Sequence, residues 1–173
     1  MTNILLTGRP GIGKSTVIQK IVSLLGAERA NGFWSGEIRE NNSRVGFAIE
    51  TISGKRGVLA HVSQASGPRV SKYLVNIEDI DRIAIPSMID ARESGKIIII
   101  DEIAKMELFS ARFAREVDQC LDTGRVVGSI QDRRIPFLDE VRRRSDVRVI
   151  EVTLANRDRL PQQIVQSILG QAL

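Results

Sequence analysis

Cysteine is all but missing from this chain. Cys120 is the only one in 173 residues, which excludes an internal disulfide and makes a reducing cytoplasm the expected setting. It falls with Phe113, Ala114, Val117 and Leu121 on one helical stripe, so it reads as a packing residue and not a reactive thiol. Histidine is equally scarce, and His61 sits in a probable strand, where a structural role is the simpler reading. Aromatic residues make up 4%, and Phe33 and Trp34 read as packing instead of a base-stacking platform. No apolar run is long enough to span a membrane. The first apolar stretch lacks a basic leader and so does not read as a signal peptide. Repeats, low-complexity tracts and linker-like segments are also missing, and residues 1–173 read as one domain.

What is present begins at the eighth residue. Gly8, Arg9, Pro10, Gly11, Ile12, Gly13, Lys14 and Ser15 fit GxxxxGK(S/T), a phosphate-binding loop between a strand and a helix. Ile4, Leu5 and Leu6 before it read as a short buried strand. Val17, Ile18, Ile21, Val22 and Leu25 after it share one helical face. The glycines let the backbone turn its N–H groups toward phosphate oxygens at the positive end of a helix. Lys14 is then expected on the β- and γ-phosphates, Ser15 on Mg²⁺, and Thr16 on the phosphates further back.

A second signal is Lys96 to Glu102, with four consecutive isoleucines before Asp101 and Glu102. Such a run suits a strand buried on both faces of a parallel sheet, with acids emerging at the carboxyl end where ligands bind. Asp101 is expected to hold the Mg²⁺ shell, and Glu102 to orient or deprotonate an attacking water. The other elements alternate: strands at 33–35, 57–62, 125–130 and 147–153, a hairpin about Glu40 to Ser43, and a helix within 77–93. A helix capped by Ser110, one opened by Pro136 and one after Asp158 complete the series. Residues 63–72 read as a loop, and Leu160, Ile164, Val165, Ile168 and Leu169 as the inner face of the last helix. The expected fold is α/β, a predominantly parallel sheet with helices on both faces and an antiparallel hairpin appendage.

Net charge is +4, with arginines at 133, 134, 142, 143, 144 and 148. A solvated helix face is preferred to a nucleic-acid surface, since no binding motif accompanies the charge. Glu37 and Arg39 are either γ-phosphate neighbours or a hairpin charge pair. Lys105 and Glu107 either approach the phosphates or form a surface pair. Asn156 and Arg157 stand where a nucleobase would lie, with helix capping as the alternative for Asn156. Arg39, Arg44, Arg69 and Arg112 are candidates to neutralise transition-state charge.

The blocks GRPGIGKST, GFWSGEIRENNSRVGFAIETISG, RVSKY, IIIIDEIAKMELFS and TLANRDRLP, in that order, resemble the THEP-type nucleoside-triphosphatase family across nearly the whole chain. The resemblance implies a RecA-like P-loop domain that hydrolyses several nucleoside triphosphates with Mg²⁺, with Lys14, Ser15, Asp101 and Glu102 in the family's roles. Ala104 and Ser71 depart from it, each standing where the pattern usually has glycine. Broad base tolerance is expected, because the strong contacts fall on phosphates. A nucleotide or nucleoside kinase and a nucleotide-controlled RNA- or protein-binding switch are the alternative readings.

Overall fold

Alternate side chains of the central strands bury against two different helix layers. On β1 (Asn3–Thr7), Ile4 and Leu6 face one layer and Leu5 the other; on β7 (Ile97–Ile103), Ile97 and Ile99 are set against Ile98 and Ile100. A strand covered on both faces has no polar alternation, which is why the isoleucine run is uninterrupted. Each isoleucine removed from water contributes roughly 1.5–3 kcal/mol. The computed structural model describes residues 2–170.

The first layer holds α1 (Lys14–Leu25), through Val17, Ile18, Ile21 and Leu25, and α6 (Leu160–Gly170), through Leu160, Ile164 and Val165. The second holds α3 (Ile85–Glu93), α4 (Ala111–Asp122) and α5 (Pro136–Arg143). The Ser110 hydroxyl caps α4 by accepting from the Phe113 N–H at 3.2 Å. At the far end of β1, buried Asn3 donates to the Leu121 carbonyl and accepts from the Val126 N–H, fixing the start of the sheet.

The sheet has nine strands. With β2 (Ala30–Glu40), β3 (Ser43–Thr51), β4 (Arg56–His61), β5 (Arg69–Val70), β6 (Tyr73–Val75), β8 (Val126–Ile130) and β9 (Val147–Glu151), the order is β5-β6-β4-β3-β2-β7-β8-β1-β9. From β2 to β9 all neighbours are parallel, and from β2 to β5 all are antiparallel. This is the P-loop α/β fold expected from the sequence, with one correction. The hairpin is no appendage: β2 runs unbroken for 11 residues, pairing with β7 over its first half and with β3 along most of its length, so the antiparallel wing extends the same sheet.

Smaller corrections have local causes. Residues 63–72 include the two-residue strand β5, which pairs with β6 across a tight turn at Ser71 and Lys72. The helix within 77–93 begins earlier than Pro86 suggests. Asn76 caps α2 (Ile77–Asp79), and a π turn at Ile80–Ala84 leads into α3, with the Ile85 N–H donating to the Ile80 carbonyl five residues back. Widening the helix there relieves the clash that the Pro86 ring would make with a normal preceding turn. Leu169 is 43% exposed and does not join the inner face of α6. No helix among the described residues is long and apolar enough to cross a membrane.

Candidate active site

Between β1 and α1 the chain folds into a phosphate loop whose glycines take backbone angles other residues avoid: φ is +140° at Gly8, +77° at Gly11 and +113° at Gly13. Gly13 is also the N-cap of α1. Lys14 Nζ donates to the Gly8 carbonyl at 2.9 Å, which holds the ammonium over the loop. Thr7, Gly8, Arg9, Pro10 and Lys14 form one wall of a cavity of about 820 Å³. Glu102 lies on the opposite side, and the segment Gln131, Asp132 and Arg133 after β8 closes the end.

Asp101 is buried at the end of β7, one strand removed from β1 across β8. Its Oδ1 accepts a 2.5 Å hydrogen bond from Ser129 Oγ on that intervening strand, and its Oδ2 has no partner. Burial pushes the Asp101 carboxyl above its ordinary range, while Ser129, Ser15 and the charge of Lys14 pull it back. Burial also raises Glu102; Lys14 opposes that shift and the neighbouring Asp101 adds to it. Two carboxyls and one ammonium therefore share a partly dehydrated space beside the phosphate loop. Hard oxygen donors of this kind, one with a free buried lone pair, suit a divalent cation that keeps some of its waters.

The other candidates separate. Glu107 is fully buried in the turn after β7, with Oε2 unpartnered, and burial moves its carboxyl up to about 8, helped by Glu102 and Asp101. It is therefore not in a surface pair with Lys105, whose backbone N–H donates to Gln131 Oε1. Glu37 and Arg39 lie on the exposed hairpin. Glu37 accepts from Arg39 and Arg44 at 2.8 Å each, which makes it the hub of a charge cluster, and neither residue lines the phosphate-loop cavity. Asn156 shapes the turn after β9, accepting from the Thr153 N–H and donating to the Glu151 carbonyl. Arg157 bonds the Ile12 carbonyl at 3.3 Å and, with Gly13, Thr16, Val17 and Lys20, lines a cavity of about 300 Å³ behind the loop.

Comparison with known proteins is decisive about ancestry. A family model described as NTPase matches residues 3–165. The nucleoside-triphosphatase THEP1 of Thermotoga maritima is 40% identical over 163 residues, covering 94% of this chain and 92% of that one. The chain belongs to the THEP1 nucleoside-triphosphatase family. The human cancer-related nucleoside-triphosphatase is 36% identical, with 96% of each chain covered. The crystal structure of THEP1 from Aquifex aeolicus superposes with a TM-score of 0.83 at 38% identity, covering 95% of this chain and 96% of that chain.

Against this family framework, several side chains at the site escaped sequence reasoning. Ser129 carries no motif, and only the placement of β8 beside β7 brings it to Asp101. Gln131 and Arg133 line the main cavity although they belong to no recognisable block. Arg142 donates to the Gln131 and Arg133 carbonyls and to Asp139, bracing that segment. The arginine cluster is thus divided and is not one solvated face: Arg133 and Arg142 turn to the site, while Arg144 pairs with Asp122 and Asp146. Among the four arginines singled out by sequence, Arg39 and Arg44 are tied to Glu37, Arg112 pairs with Asp81 at 3.7 Å, and none lines the cavity. Arg9 and Arg133 do, and among the described residues no carboxylate lies within salt-bridge distance of either. Cys120 is buried beside Glu116, and burial pushes its thiol up, as a packing residue requires.

Proposed function

We propose that the chain is a Mg²⁺-dependent nucleoside triphosphatase that cleaves the γ-phosphate of ATP, GTP and other nucleoside triphosphates. The observation that carries this reading is the buried Asp101, fixed by Ser129 with one oxygen free, beside Glu102 and across from Lys14 on the phosphate loop. The names of its relatives point the same way.

In this reading the loop amides and Lys14 bind the β- and γ-phosphates, and Thr16 supports the phosphates toward the α-position. Ser15 and Asp101 would hold Mg²⁺, which when bound neutralises phosphate charge. Glu102 takes a proton from water as the water oxygen bonds to the γ-phosphorus; the bond to the bridging oxygen breaks, and the nucleoside diphosphate leaves with its electron pair. A carboxyl raised by burial is a better base for this purpose than an exposed one. Arg9 and Arg133, the cavity's unpaired cations, supply further positive charge for the transition state. The cavity behind the loop, between Arg157 and Lys20, is where we place the base. Its walls are mostly aliphatic and cationic, which suits tolerance of several bases.

Phosphate release from ATP, GTP, CTP and UTP tests the reading, with Lys14→Ala and Glu102→Gln proteins beside the wild type. All four should be hydrolysed, Lys14→Ala should lose binding as well as turnover, and Glu102→Gln should bind normally while turnover falls by at least about 10². Normal release by Glu102→Gln would remove the proposed base.

A further inference from the structure

A second cavity, of about 190 Å³, lies between the turn after β7 and the antiparallel wing, and it shares Glu102, Gln131 and Arg133 with the phosphate-loop cavity. Phe47, Leu59 and Val70 of the wing and Met106 of the turn give it apolar walls. Glu107 also lines it, and Glu107 Oε2 is one of two unpartnered buried side-chain oxygens among the described residues. The other belongs to Asp101, which has a metal to serve in the function proposed above. Leaving a carboxyl oxygen buried without a partner costs about 1–3 kcal/mol, and an apolar residue of the same shape would avoid that cost. A polar, roomy cavity bounded by such groups is the kind that holds ordered water.

We propose that this cavity is the water chamber of the hydrolytic site and that Glu107 is a positioning residue, its carboxyl anchoring a hydrogen-bonded water chain that ends on Glu102. The inference rests on Glu102 being the base. The chain of waters presents the attacking molecule on the side of Glu102 away from the phosphate loop, and the apolar wing keeps bulk solvent from competing for it. In the step itself, the attacking water gives its proton to Glu102, its oxygen bonds to the γ-phosphorus, and the diphosphate departs. Glu107 exchanges no proton with the substrate. Its part is to donate one hydrogen bond and accept another, which an amide at the same place can also do.

Two substitutions at position 107 separate this role from packing. Glu107→Gln keeps a donor and an acceptor and should retain at least about a third of the wild-type kcat. Glu107→Leu keeps the volume and removes both; kcat should fall roughly 10- to 100-fold, as expected for lost positioning, while the ATP Kd stays within about twofold and Tm is unchanged or higher. A combination of lower turnover and undiminished stability is not what a structural residue gives. Wild-type kcat in Glu107→Leu would overturn the proposal, as would equal losses of kcat and Tm in both variants. Should Glu107→Leu fail to fold, Val70→Phe fills the chamber from the wing side, far from position 107 in sequence. It should lower kcat without changing the ATP Kd, and an unchanged kcat would refute the chamber. Glu102→Gln is assayed alongside: if it still turns over, the reading of the base has failed, whereas a dead Glu102→Gln with a normal Glu107→Leu sinks only this inference.

Discussion

The two ends of the single sheet treat charge in opposite ways. In the parallel half, Asp101 and Glu107 are buried with an unpartnered oxygen each, and burial raises Asp101, Glu102 and Glu107. In the antiparallel wing, Glu37 is shared by Arg39 and Arg44, Arg44 lies over the Phe47 and Tyr73 rings, and Glu50 pairs with Arg56, all at the exposed surface. The wing satisfies its charges where water already screens them, so they cost and contribute little. The parallel half holds acids in an environment that disfavours their charged forms. That arrangement makes sense only if something bound there, or something done there, compensates.

Stability as a function of pH is the strongest way to test the contrast. For Glu107, with its folded value at about 8 against an ordinary 4.5, the folded state keeps a proton that the unfolded state has lost between those values. Stability therefore falls as pH rises from 4.5 through about 8, at up to about 1.4 kcal/mol per unit. Hydrogen bonds from Arg44 and Arg39 hold Glu37 below its ordinary range. Its contribution is present above 4.5 and lost as pH falls, and solvent exposure keeps it small. Denaturation midpoints at pH 5, 6.5 and 8.5 should show a Glu107→Gln protein losing much of the wild-type decline with pH, and a Glu37→Gln protein changing only the acid side, slightly. Parallel curves for wild type and Glu107→Gln would place the charged form of Glu107 in the folded state and break the comparison.

Arginine tests the same contrast through turnover. Arg133 faces the site without a carboxylate partner, whereas Arg39 is occupied by Glu37 and the Asn42 carbonyl. Arg133→Ala should lower kcat by about 10²-fold, or about 2.7 kcal/mol of transition-state stabilisation, with Tm little changed. Arg39→Ala should leave kcat within about twofold. If the two variants lose turnover equally, the wing reaches the site during the reaction in a way its resting ion pairs do not indicate.

What the sequence made legible was whatever is contiguous along the chain. The phosphate loop, the isoleucine strand with its two acids, the Ser110 cap and the Asn41–Asn42 turn each carry their instructions within a few residues. At Asn41 and Asn42 both φ values are positive, as a two-residue hairpin turn needs. What escaped was whatever depends on strand order. Ser129, Gln131 and Arg133 matter because β8 lies between β7 and β1, and no local pattern announces that neighbourhood. Glu107 was misleading for the same reason, since next to Lys105 and away from its fold a glutamate reads as half of a surface pair. The wing's continuity with the sheet was hidden because β2 changes partners midway, from parallel β7 to antiparallel β3, with no break in the chain to mark the change.

The finest test concerns the two positions where the family pattern usually has glycine, one in each region. Ser71, in the tight turn between β5 and β6, has φ of +56°, where a side chain costs about 1–2 kcal/mol relative to the normal helical region. Glycine takes that conformation freely but loses more chain entropy on folding, which offsets about 0.5–1 kcal/mol of the gain. Ser71→Gly should therefore stabilise by about 0.5–1 kcal/mol, a rise of about 1–4 °C in Tm for a chain of this size. Ala104 follows β7, is 6% exposed, and is not among the residues with positive φ. Its methyl group is buried and its backbone needs no glycine, so Ala104→Gly should destabilise by about 1 kcal/mol from lost burial and added chain freedom. Opposite signs from the same chemical change would show that the wing carries its departure from the pattern as strain and the parallel half carries its own as packing. A Tm shift of the same sign in both variants would undo that distinction.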